Sequence, residues 1–263
     1  MSKKQYYSDD ERIIRVWDVE EVKDLLSRRQ VLYMNNERRK ELDTLWVSEN
    51  KYRKTASMGS NWGYYVGMDE ISNFYVVQHT NQLQAELDAK CAANPAIRNI
   101  RDNFGYGDLY AIHISTPCVV LAGDGKTAQG VWYSLGVESK GQPDGSVKAV
   151  WKPQRICADF VKEDSGDWKI WHLLISNDVE YEAGTNLGDV ETFTGKPTEE
   201  QIAFGEPTVP YVVHNRDYGW SDAYPTVPPK AYYSFDPEKG FGAEGRPQWQ
   251  KAHPNYRKEY QGK

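Results

Sequence analysis

Three histidines of the chain, His79, His113 and His172, lie in segments with regular helix or strand patterns. An imidazole that nothing perturbs titrates at about pH 6.5, so each of them could accept or donate a proton near neutral pH. A histidine packed in the core or facing solvent is the alternative for each position. The residue types therefore permit general acid–base chemistry.

Asp159 is a candidate partner for one of these histidines. It alternates with Arg155 and Cys157 along a predicted strand, so its carboxylate could orient a histidine on the neighbouring strand. An ion pair between Asp159 and an arginine at the sheet edge is the alternative.

Aromatic side chains are concentrated on a few predicted elements. Tyr33 ends the apolar face of the first predicted helix, and Trp62 and Tyr64 lie where the first predicted strand turns toward the third helix. A phenol hydroxyl there could donate a hydrogen bond to a substrate oxygen, although such rings can also simply fill a core. A pocket lined by rings, with Trp151 among them, would suit an aromatic or polycyclic ligand.

Other chemistries lack support in the sequence. The segment from Gly123 to Lys126 has neither the preceding glycine nor the following Ser or Thr of a phosphate-binding loop, and it separates two predicted strands, so we interpret it as a hairpin turn. No CxxC or HExxH motif occurs, and the three cysteines are widely spaced. We therefore expect no metal and no cofactor.

The composition limits the partners. The formal net charge is -6, and basic residues are mixed among acidic ones, so no basic face for nucleic acid is predicted. No apolar window approaches the roughly 18 residues of a membrane helix, and the N-terminus is polar where a secretory signal would be apolar. We expect a cytoplasmic protein that binds neither nucleic acid nor membrane.

Helical periodicity marks the first part of the chain. One helix is predicted from Asp18 to Tyr33, a second around Leu42 to Trp46, and a third begins with Asp69 as its cap and fades before Pro95. A short strand is predicted from Thr55 to Trp62.

From Leu109 onward, β-branched and aromatic runs alternate with turn residues. Four predicted strands in series indicate an antiparallel meander. Together with the helices they give an α+β fold with the helices on one face of a curved sheet. The predicted strands are Tyr110 to Leu121, Thr127 to Glu138, Val147 to Lys162 and Trp168 to Glu180.

The remainder of the chain has no regular periodicity. It is rich in proline and aromatic residues, which favours an extended strap that packs its rings on the core or on a second subunit. The predicted organisation is an N-terminal arm at 1–17, one domain at 18–183 and the extension at 184–263.

Six landmarks in order resemble the SnoaL-like, polyketide-cyclase-like branch of the nuclear transport factor 2-like (NTF2-like) superfamily. The resemblance covers Asp18 to Tyr181 and implies a cone-shaped barrel with a deep apolar pocket. In related enzymes this pocket serves cofactor-independent dehydration, isomerisation, cyclisation or C–C cleavage of hydrophobic ring compounds. The landmarks are the first two helices, Gly67 to Ile71, His113 to Pro117, Gly130 to Tyr133, and Gly166 to Ile170.

The resemblance also implies roles for individual residues. His113 matches a histidine before proline in dehydratase relatives, although a shift of one position would place Ile112 in the pocket instead. Trp132 and Ser134 are implied to face inward. Asn35 and Gly136 stand where those relatives often have acids, so a carboxylate–histidine dyad of that type is not intact.

Three functional hypotheses follow. The first is a cofactor-independent lyase or isomerase acting on a hydrophobic ring compound, with His113 as general base or acid. The second is a non-catalytic ligand-binding or dimerisation module, and a ring-hydroxylating dioxygenase small subunit is a third, less favoured by the long extension. A homodimer or higher homo-oligomer is also expected, because the outer face of such a sheet is often too apolar to be left in water. The predicted catalytic residues are His113, Tyr33, Tyr64, His79 and Asp159, and the predicted substrate-binding residues are Trp62, Trp132, Ser134, Trp151 and His172.

Overall fold

The computed structural model describes residues 7–60, 63–96, 107–178, 180–185, 205, 207–210 and 228–245. Their helices and strands form the predicted α+β fold with a curved sheet, and the sheet is unclosed. Among the described residues, no helix combines the length and the apolarity needed to cross a membrane.

Helix α1 spans Asp9–Met34. The predicted start at Asp18 is wrong, because Ser8 caps the helix and forms a capping box with Glu11. Asp18 lies inside the helix, where its carboxylate accepts hydrogen bonds from Lys162 and from the Trp168 indole. Half of the predicted N-terminal arm is therefore helical.

The next helices are α2, Arg38–Leu45, and the short α3, Asn50–Arg53. The third predicted helix is a composite of α4, Met68–Ser72, a π-helical stretch, Asn73–Gln78, and α5, His79–Ala93. It is capped by Gly67 rather than by Asp69, which lies in the first turn. A π-helical turn is rare and often marks a functional site.

The sheet is mostly antiparallel. The strands are β1 Ser57–Ser60, β2 Gly63–Val66, β3 Leu109–Leu121, β4 Thr127–Gly141, β5 Val147–Trp151, β6 Gln154–Lys162, β7 Trp168–Asn177, β8 Tyr181–Glu182 and β9 Val209–Pro210. Their order in the sheet is β8-β5-β4-β6-β7-β1-β2-β9, and β3 pairs with β4. Among the described strands, β1 and β7 form a parallel pair.

The run predicted as one strand from Val147 to Lys162 is two strands, β5 and β6, on either side of Lys152 and Pro153. Proline lacks the amide hydrogen that a continuous ladder needs, which explains the break. Both strands pair with successive parts of β4. The turn at Gly123 to Lys126 is the predicted hairpin turn, and Gly125 adopts a φ of 70° there.

The two faces of the sheet have different coverings. On the inner face, α1, α2 and the composite helix pack apolar side chains against the sheet, including Leu26, Trp46 and Ile71 against Trp132 and Phe160. On the outer face, part of the C-terminal extension covers a smaller cluster that contains Tyr64, Val131, Cys157, Leu174 and Phe241. The described part of the extension thus packs on the sheet of its own chain.

Candidate functional site

Polar side chains meet on the inner face where α1 ends and α2 begins. We call Tyr33, Arg38, His79, Tyr110 and Glu138 the Arg38 cluster. Tyr33 and Tyr110 stack with their ring centroids 5.6 Å apart. The cluster combines a base, a cation, an acid and two phenols within the helix-covered side of the sheet.

The turn between α1 and α2 places an amide against His79. Asn36 has a φ of 56°, a left-handed conformation that asparagine tolerates better than most residues. Its Oδ1 lies 3.1 Å from Nε2 of His79, at the start of α5. An amide oxygen accepts hydrogen bonds, so neutral His79 donates from Nε2 and holds its lone pair on Nδ1.

His79 is uncharged at neutral pH. Burial lowers its pKa to about 2, and the positive charges of Arg38 and Lys140 act in the same direction. A negative charge placed near Arg38 would offset this effect and increase the proton affinity of the imidazole.

Tyr33 is fixed by an acid on β4. Its hydroxyl donates a hydrogen bond of 2.6 Å to Oε1 of Glu138, whose other oxygen accepts from Lys152. Burial raises the pKa of Tyr33 well above its usual value, and the Glu138 charge adds to the shift. Burial alone would raise the pKa of Glu138, but the Lys152 charge and the hydrogen bonds lower it. Tyr33 therefore stays protonated beside an ionised carboxylate.

Arg38 lies among three phenol rings. Its guanidinium carbon is 4.6 Å from the ring centroid of Tyr75, 5.1 Å from that of Tyr33 and 6.0 Å from that of Tyr110. These distances are within the range of cation–π attraction. Its Nε is buried and has no hydrogen-bond partner among the described residues.

A buried ion pair links the helices that carry the Arg38 cluster. Arg29 on α1 contacts Glu41 on α2 with Nε and Oε1 3.2 Å apart, and Tyr75 accepts from Arg29 and donates to Glu41. Gln30 donates to the main-chain oxygen of Ile112 on β3 at 2.7 Å. Two helices, the π-helical stretch and the sheet are thereby held in one geometry.

Two predicted lining residues face this interior. Trp132 and Ser134 are both buried and share the inner face of β4 with Glu138. Trp132 packs edge-on against Phe160. The Ser134 hydroxyl is buried without a hydrogen-bond partner among the described residues, so it offers a polar group to the interior.

Three predicted site residues meet on the opposite face. Nδ1 of His172 lies 2.8 Å from Oδ2 of Asp159, and the same carboxylate oxygen accepts from the Phe241 amide at 2.6 Å. The Tyr64 hydroxyl donates to the Phe241 carbonyl. The predicted partnership of Asp159 with a histidine of the next strand is thus present, whereas Arg155 contacts Asp178 instead. The C-terminal extension covers this group through the contacts of Phe241.

The structure places His113 and Trp151 apart from both groups. His113 is exposed on the outer face, opposite Leu135, and Ile112 is buried on the inner face. The shift of one position that the sequence left open is the arrangement observed. Trp151 is also partly exposed on the outer face, opposite Val137. Trp62 lies outside the described residues.

The two acids missing from the family pattern have structural explanations. A side chain at Gly136 would overlap the backbone of Ile112 on β3, so no acid fits there. Glu138, two residues further along the same face, supplies a carboxylate instead. Asn35 is the exposed C-cap of α1, and Asn36 makes the contact with His79.

Sequence reasoning did not select Arg38, Tyr110 or Glu138 as site residues. For Glu138 the signal was available, because strand alternation places it on the face of Trp132 and Ser134. Tyr110 could have been found in the same way from its alternation with Ile112. Arg38 has no such signal, since its position depends on the turn that begins α2.

The described residues thus form an α+β fold in which helices cover one face of a curved, unclosed sheet and a polar cluster lies among them. A family model described as a SnoaL-like domain matches residues 15–173, more than half of the 263-residue chain. The chain belongs to this SnoaL-like domain family.

Solved structures with a similar fold are distant in sequence. An NTF2-like protein with a cystatin-like fold from Novosphingobium aromaticivorans is 14% identical with a TM-score of 0.42, over 68% of this chain and 90% of that one. A hexachlorocyclohexane dehydrochlorinase from Novosphingobium barchaimii is 12% identical with a TM-score of 0.45, over 67% and 97%. A ketosteroid isomerase-like protein from Erwinia carotovora atroseptica is 12% identical with a TM-score of 0.39, over 61% and 95%. No curated protein sequence matches the chain.

Proposed function

We propose that the chain is a cofactor-independent lyase or isomerase that acts on a hydrophobic aromatic or polycyclic compound bound on the inner face. The observation that carries the proposal is the placement of a neutral imidazole, His79, beside a guanidinium with an unused N–H, Arg38, among the phenol rings of the Arg38 cluster. A base and a donor for developing oxyanion charge are the two groups that elimination and enolisation require.

The proposed chemistry starts with proton removal from a ring carbon by Nδ1 of His79. Negative charge then develops on the conjugated oxygen or leaving group and is stabilised by Arg38. The Tyr33 hydroxyl donates its hydrogen bond to Glu138 in this structure. Arg38 rather than Tyr33 therefore supplies the hydrogen-bond donor for that oxygen. The imidazolium formed at His79 returns the proton to a carbon in isomerisation or to the leaving group in elimination.

The test is a comparison of two histidine variants. Purified protein treated with a chelator is incubated with phenolic, steroid and polyketide-like ring compounds, and products are followed by mass. We expect His79→Ala to lower turnover by about a hundredfold or more, the usual scale for loss of a general acid or base. His113→Ala, which removes an exposed histidine from the outer face, is expected to leave turnover within about twofold of the unmodified protein.

The opposite pattern, a large loss in His113→Ala and none in His79→Ala, would return the catalytic role to His113.

A binding module that does not catalyse is the second candidate. It is favoured by one observation, the amide of Asn36 in place of a carboxylate beside His79. Ligand binding without turnover across the whole panel would support it.

We also propose that two copies of the chain associate through the exposed half of the outer face. The C-terminal extension covers the other half, and the exposed half carries apolar side chains such as Leu135 and Tyr133, which are 57% and 44% exposed. A second copy would remove this apolar surface from water. Val147 and Trp151 extend the same surface along β5.

Leu135→Lys is expected to convert a dimer to a monomer, because a charge at the centre of an apolar interface is costly to desolvate. Light scattering during size-exclusion chromatography measures the mass. Val77→Lys, which places the same charge on an exposed apolar position of the π-helical stretch, is the matched control. A monomer at micromolar concentration in the unmodified protein would refute the dimer.

A further inference from the structure

Arg38 differs from the other cations of its neighbourhood in having no carboxylate partner. Lys140 pairs with Glu86 at 3.0 Å, and Lys152 pairs with Glu138. Within the described part of the chain, no carboxylate oxygen lies within 4.0 Å of the Arg38 guanidinium. Arg38 is thus a cation without a direct ion pair, and the Glu138 carboxylate acts on it only at longer range.

This arrangement is costly unless something completes it. A buried N–H without an acceptor is unfavourable, and the faces of aromatic rings attract the cation without accepting this hydrogen bond. The three rings therefore hold Arg38 in place and leave its buried Nε–H without an acceptor. An oxyanion would accept that hydrogen bond, and the planar guanidinium fits a planar carboxylate with two parallel hydrogen bonds.

We infer that Arg38, held between the rings of Tyr33, Tyr75 and Tyr110, is the binding site for a carboxylate carried by an aromatic or polycyclic ligand. The inference rests on the proposed function and narrows it, because it assigns the substrate class to aryl carboxylates and their close oxyanion analogues. The tyrosine rings contact the hydrophobic part of the ligand next to the carboxylate. Ser134, whose buried hydroxyl has no partner in the described structure, offers a further polar contact deeper on the inner face.

The anion and the base are coupled through charge. Arg38 and Lys140 are the cations that act on His79, and Lys140 is already paired with Glu86. A ligand carboxylate on Arg38 therefore offsets the charge of the cation that has no direct ion pair. The pKa of His79 rises when the ligand binds, so the base gains proton affinity only when an anionic ligand is present.

The first measurement is calorimetric titration of the whole chain with 2-naphthoate and with 2-naphthamide, which has the same ring and no charge. The carboxylate is expected to bind at least about tenfold more tightly, the scale of one charge-assisted hydrogen-bonded contact. Equal affinities, or no binding of naphthoate at about 1 mM, would overturn the inference.

Variants of adjacent arginines locate the site. Arg38→Met is expected to lower naphthoate affinity by about tenfold or more without changing naphthamide affinity, and Arg38→Lys, which keeps the charge and the fold, to lower it by a smaller factor. Arg39→Met is the matched control, because Arg39 is exposed and its guanidinium contacts Ser72 and Asp43. Loss of naphthoate affinity in Arg39→Met equal to that in Arg38→Met would contradict the assignment.

A third measurement distinguishes binding of the anion by Arg38 from a purely structural role of this residue. The imidazole resonances of His79 are followed by NMR against pH, with and without naphthoate. We expect an upward shift of the His79 pKa with naphthoate in the unmodified protein and none in Arg38→Met. An unchanged His79 pKa in the unmodified protein would refute the coupling.

Different results would refute the anion site and the proposed lyase or isomerase activity. Selective naphthoate binding without turnover of any ring compound would remove the lyase or isomerase activity and keep the anion site. Turnover of ring compounds together with equal affinities for naphthoate and naphthamide would remove the anion site and keep the activity.

Discussion

Replacement of Glu41 by alanine is expected to lower the free energy of unfolding by about 3–5 kcal/mol, the range for removing one partner of a buried ion pair. Glu41 is fully buried and lies 3.2 Å from the guanidinium of Arg29, which is itself 2% exposed. Burial alone would lower the pKa of Arg29, but the Glu41 charge raises it. The guanidinium of arginine is not deprotonated in proteins, so Arg29 stays charged and loses its partner in the variant.

The loss extends beyond the ion pair. Glu41 also accepts hydrogen bonds from the Tyr75 hydroxyl at 2.7 Å and from the Trp46 indole at 3.2 Å. Both donors are left without an acceptor in the variant, which adds to the cost of the unpaired charge. The ring of Tyr75 is one of the three rings around Arg38, so ligand affinity should fall with stability.

Urea denaturation followed by tryptophan fluorescence measures this effect through the midpoint at constant m-value. Asp43→Ala is the matched control, because Asp43 lies on the same helix and its carboxylate is 61% exposed, 4.0 Å from Arg39. An exposed pair of this kind contributes about 0–1 kcal/mol. A change below about 1 kcal/mol in Glu41→Ala would show that the buried network does not hold the helices on the sheet.

Replacement of Asp159 by alanine is the second large effect that we expect, about 3–5 kcal/mol by the same reasoning for a buried carboxylate. Asp159 is 0% exposed. It accepts from Gln129 at 2.8 Å and from the Phe241 amide at 2.6 Å, and it contacts Nδ1 of His172 at 2.8 Å. Its removal leaves buried polar groups on two strands and on the C-terminal extension without partners.

The extension should respond more than the sheet. Phe241 contacts the sheet through its amide to Asp159 and through its carbonyl to the Tyr64 hydroxyl. When the first contact is lost, the described segment at 228–245 keeps its ring contacts, such as Phe235 against Trp171, and its other backbone hydrogen bonds, but loses the one that fixes the Phe241 amide. Amide exchange at Phe241 is therefore expected to accelerate by about a hundredfold relative to the core of the sheet.

Hydrogen exchange with mass spectrometry and limited proteolysis both report this change. Glu238→Ala, an exposed acidic residue of the same segment, is the matched control and should change neither readout. Unaltered protection of Phe241 in Asp159→Ala would mean that the apolar contacts of the extension alone hold it on the outer face.

The alternation of side chains along strands was a reliable guide within each strand. Alternation along β4 puts Trp132, Ser134 and Glu138 on one face, and the structure places them together on the inner face. The same alternation could not say which residue of β3 faces the same way. The structure selects Ile112 over His113, since a shift of one residue reverses the face of every side chain.

Helix boundaries and the π-helical stretch were less accessible. The apolar periodicity of α1 begins near Asp18, but the capping box at Ser8 starts the helix earlier. The π-helical stretch before His79 has no periodic signature that distinguishes it from an α-helix, so its effect on the orientation of Tyr75 and His79 was not predicted.

The amino-acid sequence by itself determined the class of fold, the hairpin turns, the shared faces of the strands and the family, because each of these depends on local patterns of residues. Only the tertiary structure decided which histidine lies with Tyr33 on the inner face and which pairs with Asp159 beneath the extension. Asn36 and His79 are 43 residues apart in the chain, and Tyr33 and Glu138 are 105 apart. Contacts at such separations are set by how the helices pack on the sheet, and no local periodicity encodes them.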